Sequence, residues 1–268
     1  MKAIWQVESQ IDVDGGASRT FGTRNTFAGL SGGFGTVIIG RHDTPEKLST
    51  GPLDMFADQV GDFNTSLTIV DTRENNVVAY ISPDFNGLHG AIAAVAGEQA
   101  GTTGNTDRNG LADHWSGALI YKNGPLHLSG AMTKLKSGYA VDFRDILGAT
   151  DTAIGASVTA ADIDIYRIGA GYTMGDLSVS AVYQNIDVDG VNAYEKGYTV
   201  GAKYNMGPIA LKAQYNERED VLKGWTVGVD YNMSKRTKAY VSYTSQEEES
   251  GSVAVDATVL TAGLRHNF

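Results

Sequence analysis

The sequence predicts an all-β fold, a transmembrane antiparallel up-and-down β-barrel, on three observations. First, fourteen short runs alternate apolar and polar residues, the two-residue period of a strand whose faces meet different surroundings. Second, the connections alternate between tight turns and long polar loops, as in a barrel with its turns at one end and its loops at the other. Third, the apolar side of four runs begins and ends with an aromatic residue: Trp115/Tyr121, Tyr166/Tyr172, Tyr198/Tyr204 and Trp225/Tyr231. The spacing within each pair spans roughly 20 Å along a strand. That sets the rings near the edges of an apolar band of about 25 Å, where aromatic girdles sit. A soluble sandwich also has one apolar face, but nothing in its core calls for Tyr and Trp at both ends.

Taken in order, the first runs cover residues 2–11, 20–31 and 34–42, the last two joined by SGGFG at Gly33. Runs 74–83 and 88–98 meet at PDFNG around Asn86, and runs 113–123 and 126–136 at KNGP around Gly124. Runs 163–174 and 177–187 turn at Gly175, runs 196–206 and 209–219 at Gly207, and runs 224–234 and 237–249 at Ser234. Gly, Asn and Asp suit these tight turns because hairpin turns need positive φ. The last run is 257–268. Long connections lie at 42–73, 99–112, 137–162, 188–195, 220–223 and 250–256. Alternation is legible residue by residue: Ile209, Leu211, Ala213 and Tyr215 stand against Ala210, Lys212, Gln214 and Asn216. One hairpin recurs three times, with Tyr172-Thr-Met174, Tyr204-Asn-Met206 and Tyr231-Asn-Met233 each preceding a turn.

Composition narrows the class further. The 268 residues include 33 Gly, 13 Tyr, 5 Pro and no Cys, which suits one large all-β domain over 1–268 and excludes a disulfide scaffold or thiol chemistry. No stretch approaches the 18 or so apolar residues of a spanning helix. The formal charge of −10 argues against nucleic acid as a partner. Met1-Lys2-Ala3 leads directly into a strand pattern with no signal peptide, which reads as a mature or truncated chain.

One stretch breaks the alternation. Between Arg41 and Arg73 a helical signal appears, with Pro52 suited to a first helical position. From there Leu53, Phe56, Ala57 and Val60 gather on one side, and Asp54, Asp58 and Asp62 line the other. Leu53, Phe56 and Val60 are expected to anchor this helix to a wall, and the three Asp to face a lumen.

With these runs in view, the chain resembles a general porin of the Gram-negative outer membrane, of the β-proteobacterial type. The resemblance rests on KAIWQVESQ at Lys2, TRNTFAGLSGGFGTVIIGRHDTP from Thr23, NNVVAYISPDFNGL at Asn75 and the terminal AGLRHNF. That ending is similar to an outer-membrane insertion signal, with Thr261, Gly263, His266 and the final Phe268. The resemblance implies a homotrimer of sixteen-stranded barrels in outer-membrane lipid, each with its third loop folded inward to narrow the pore. Residues 42–73 match that constriction loop. Two strands that usually precede the one at Lys2 are missing, so fourteen are present. A fragment with unpaired edges is expected, rather than fourteen strands that close alone.

The resemblance also implies wall arginines facing the acidic loop, a role that falls on Arg41 and Arg73, with Arg24 a third. The polar side of the strands carries Lys122, Arg167, Lys203, Lys212, Lys238 and Arg265 against Glu8 and Asp230. On a membrane barrel that side must be the lumen, because a charge on the lipid side near midplane costs roughly 2–4 kcal/mol. The histidines at 42, 89, 114, 127 and 266 lack metal-ligand spacing, so neither metal nor cofactor is expected. Asp12-Val-Asp14-Gly and Asp187-Val-Asp189-Gly start like calcium loops but do not continue to a bidentate Glu. No nucleophile motif supports the alternative of an outer-membrane hydrolase. The expected function is therefore a water-filled channel for passive diffusion of small hydrophilic solutes and ions.

Overall fold

The computed structural model describes residues 1–9, 24–64, 71–97, 112–136, 162–189, 194–219, 222–248 and 255–267. Among these residues fourteen strands follow one another. They are β1 (Lys2–Gln6), β2 (Thr26–Gly32), β3 (Gly35–Asp43), β4 (Arg73–Ile81), β5 (Leu88–Val95), β6 (His114–Asn123) and β7 (Leu126–Leu135). The second half comprises β8 (Ile163–Met174), β9 (Leu177–Val188), β10 (Tyr194–Met206), β11 (Ile209–Arg218), β12 (Leu222–Asn232), β13 (Thr237–Glu248) and β14 (Val255–His266). All belong to one sheet in chain order, each antiparallel to the next. Among the described residues β1 pairs only with β2 and β14 only with β13.

The tight ends obey turn chemistry. Gly175 and Gly207 each hold φ at +59° at the first central position of a two-residue turn, a conformation closed to most side chains. In the hairpin that turns at Gly207, Tyr204 pairs with Leu211, Ala202 with Ala213 and Val200 with Tyr215, so apolar residues meet apolar ones at these positions.

The two faces are inverted relative to a soluble protein. Apolar residues such as Leu119 (63%), Ile168 (61%), Val200, Trp225 and Tyr231 are exposed. Polar ones on the opposite side, including Ser116, Thr133, Gln184, Thr199 and Thr226, are buried. Trp115, Tyr121 and Tyr198 share the outer face through their two-residue spacing from Leu119 and Val200. Neighbouring rings there touch, Tyr183 with Tyr198 at 5.7 Å and Trp225 with Tyr243 at 5.4 Å between centroids.

The polar face is buried because the chain between β3 and β4 lies against it. Asp58 of this connection meets Arg265 on β14, while Glu46 N donates to Ser116 Oγ on β6. One loop can reach both strands only if the sheet curls around it, so the loop occupies the interior of the curved wall.

The helix expected from Pro52 is displaced. The helical turn is α1 (Pro45–Thr50), with Pro45 at its start and the Thr44 hydroxyl accepting from Lys47 N. Pro52 sits in a following 3-10 turn, Gly51–Leu53, and residues 55–61 continue as turns. Two prolines in this stretch meet the preference for proline at a helix start. Thr44 supplies the cap upstream of Pro45, whereas Gly51 precedes Pro52.

Candidate functional site

The inward loop is zipped at its roots, where Thr44 N donates to Thr72 O at 3.2 Å. Arg73 lies 2.9 Å from Asp43 and donates to Asn25 Oδ1 at 3.0 Å. Past this root, α1 runs into a buried charge cluster. Arg167 on β8 is fully buried, with Glu46 at 3.0 Å and Asp71 at 2.5 Å. It also donates to Thr50 Oγ1 at 3.0 Å and to Gln184 Oε1 at 2.6 Å. One guanidinium therefore serves two carboxylates, and the Glu46 oxygen near it lacks hydrogen-bond alignment. Burial pushes the Glu46 carboxyl up to about 7, against the opposing pull of Arg167.

Beyond α1 the wall holds the loop by its backbone. His127 Nε2 lies 2.9 Å from Ser49 O, and Ser180 Oγ donates to Leu53 O at 2.6 Å. The Gln214 amide grips twice, accepting from Met55 N and donating to Gly61 O, each at 3.0 Å. Leu53, Phe56 and Phe63 are buried, and Phe56 lies beneath the Lys212 ammonium, 4.4 Å from the ring centroid.

The three acidic residues do not form a stripe. Asp54 turns inward and accepts from Phe56 N at 2.8 Å and Phe63 N at 3.2 Å. Asp62 accepts from Asp58 N at 2.9 Å and Asn64 N at 2.7 Å. Both carboxylates close Asx-type turns, which compete with a helix for the same backbone donors. Burial, reinforced by the charge of Asp62, pushes the Asp54 carboxyl up to about 8. Asp58, at φ +62°, is the exposed one and reaches Arg265.

Beneath the loop, toward the tight turns, lies a cavity of about 540 Å³. Its lining carries Lys122, Lys203, Lys212, Lys238 and Arg265 against Asp54 and Asp230. Lys203 faces Lys212 across β10–β11, and Lys238 faces Arg265 across β13–β14. Like charges set opposite each other oppose sheet pairing. Asp230 offsets part of this, at 3.0 Å from Lys212 and 2.8 Å from Lys238.

The structure redistributes the expected wall cations. The five basic residues just named gather at the cavity, whereas Arg167 is consumed by the loop clamp. Arg24 pairs with Glu8, and Arg73 is held at the loop root. Arg41 stands opposite Thr26, two places from the outer-face pair Ala28–Ile39, and donates to exposed Asn75 at 2.6 Å. A bulge after Gly40 shifts the register there, and Arg41 does not line the cavity. Val60, expected as an anchor, is only half-buried, and Phe63 takes that role. Thr261 and Gly263 lie on β14, and the His266 ring meets Thr237 Oγ1 at 2.8 Å. Phe268 and Asp12-Val-Asp14-Gly lie outside the described residues, and Asp187 belongs to β9 rather than to a loop.

Glu46, Asp71, Gln184 and Gln214 escaped the sequence reading. Their signal was faint, a Glu one residue after a helix-starting Pro and two Gln among the other polar residues of the strands' inner side.

Residues 1–251 match a family model described as Gram-negative porin. The chain is 28% identical over 285 residues to the major outer membrane protein P.IB of Neisseria lactamica, covering 100% of this chain and 79% of that protein. A structure of an anion-selective porin from Comamonas acidovorans matches at a TM-score of 0.79 and 24% identity, over 99% of this chain and 84% of that one. OmpT of Vibrio cholerae, in a trimer form, matches at 0.61 and 16% identity, over 93% of this chain and 81% of that one.

Proposed function

Because the chain belongs to the Gram-negative porin family, we propose that its inward loop and basic inner wall together form the selective part of a trimeric channel with a modest preference for anions. The protein is an outer-membrane porin, a channel for passive diffusion, and carries out no chemistry. Small hydrophilic solutes and ions pass through its lumen in the outer membrane, with size exclusion and the local field as the means of discrimination. A homotrimer in outer-membrane lipid, each chain one barrel domain, is the assembly in which we place it. The trimer form of the Vibrio cholerae protein supports that choice.

The observation that carries the selectivity is the cavity lining, where five cations meet two carboxylates. Asp54 weakens the acidic side further, since a carboxyl held up to about 8 is mostly neutral at pH 7. The overall charge of −10 would suggest cations. However, charges more than about 8 Å from a passing ion are largely screened at physiological salt. The anion selectivity of the Comamonas relative agrees with this reading. Reversal potential in a salt gradient tests it. The wild type should favour the anion, and Lys122→Gln combined with Lys203→Gln should reduce that preference. A cation preference in the wild type would refute the assignment.

A further inference from the structure

The structure assigns the bore of this channel to four glycines of the inner wall, Gly169 and Gly171 on β8, Gly201 on β10 and Gly228 on β12, which form a trough for the inward loop. All four lie on the loop-facing side of their strands, by their two-residue spacing from Arg167, Thr199 and Thr226. A glycine inside a strand gives up packing and ordering entropy, and it often marks a close approach by another backbone or ligand. Here the approaching group is the loop. A Cβ at Gly169 would come within 2.6 Å of Leu53 Cδ1, and one at Gly171 within 2.6 Å of Leu53 Cδ2. At Gly201 it would meet Met55 Cγ at 2.7 Å, and at Gly228 it would meet Phe56 Cε1 at 2.8 Å.

The strands between these supply the opposite element. Ser180 on β9 holds Leu53 O, and Gln214 on β11 holds Met55 N and Gly61 O. At these positions β8, β10 and β12 recede to admit a loop side chain, and β9 and β11 reach out to bind loop backbone. Side chain and backbone seats alternate across β8 to β12. The loop can sink no deeper than these seats allow, so the wall fixes how far it projects into the lumen. The loop's own sequence supplies only the side chains that fill them. A methyl group at Gly201 must displace Met55 Cγ, and one at Gly228 Phe56 Cε1, by about 1 Å to restore ordinary carbon contacts of 3.5–4.0 Å, and because both side chains are seated against the wall the displacement is passed to the loop. That displacement narrows the passage on the far side.

This inference rests on the channel function stated above, and single-channel recording of the full-length protein in planar bilayers tests the two separately. Wild-type protein without conductance would defeat the channel reading. With the wild type conducting, Gly201→Ala and Gly228→Ala should each lower conductance by at least about a fifth and reduce the largest neutral sugar admitted. Met55→Ala added to Gly201→Ala should restore both, as should Phe56→Leu added to Gly228→Ala. Gly130→Ala, on the outer face with open space around its Cβ position, should behave as wild type. If a single alanine variant fails to insert, its paired second change should recover insertion and conductance together. Wild-type conductance in both alanine variants, or loss that the paired changes do not relieve, would overturn the assignment.

Discussion

At the scale of single residues, the loop carries two carboxyl groups whose protonation matters near neutral pH. Asp54 lines the cavity with its carboxyl raised to about 8. It is mostly uncharged at pH 7 and ionises as the pH rises past that value, adding a negative charge to a basic cavity. The anion preference should therefore fall between about pH 7 and 9. Asp54→Asn should abolish this dependence, and reversal potentials across that range would show it. Glu46 carries the same sign of shift, raised from 4.5 to about 7. For an acid with a raised native pKa, the native clamp binds protons more tightly than the released loop does. Its contribution is full below 4.5 and is lost as pH rises through about 7. Spontaneous gating should therefore become rarer on acidification from 7 toward 4.5, and Glu46→Gln should be quiet at every pH. Gating that grew with acidification in the wild type would contradict the clamp's role. None of this was visible in the sequence, where Asp54 looked like one member of an exposed stripe and Glu46 like an ordinary residue near Pro45. The Glu46 shift depends on burial beside Arg167, far along the chain, and the Asp54 shift on burial that no local pattern announces, although Asp62 lies close by in sequence.

At the scale of elements, the strands were legible and the loop's interior was not. Strand alternation is a local property with a fixed period, so residues such as Ile209 to Asn216 declare their faces without a partner. Among the described residues the connection between β3 and β4 has no helix after Leu53, and turns leave weak traces. Phe56 still stood out as an apolar residue among acids, and the structure gives it a buried seat under Lys212 and against Gly228. Phe56→Asp would bury a charge there, lose the ring's contact with the ammonium and expel this part of the loop. Noisier and larger openings in single-channel traces are the expected result, with unchanged conductance and gating counting against the anchor. Arg41 shows the limit of position-based reasoning. It flanks the loop as a wall arginine would, but one bulge after Gly40 decides which side of the sheet it serves.

At the scale of the whole molecule, the sheet's inverted faces set where charge is tolerated. Ile168 stands exposed on the outer face between Tyr166 and Tyr172. Ile168→Arg should cost about 2–4 kcal/mol in transfer to a bilayer, read as a lower folded fraction in urea titrations with lipid vesicles, while Ile168→Ala should change little. The connectivity has a consequence for the order in which the channel comes into being. Every strand pairs with its neighbour in sequence, so the wall can grow hairpin by hairpin as the chain is delivered. The bonds that hold the inward loop do not share this locality. Glu46 waits for Ser116, 70 residues on, and Met55 waits for Gln214, 159 residues on. The loop therefore cannot be fastened along its full length until β11 is in place, so narrowing the pore is tied to completing the wall.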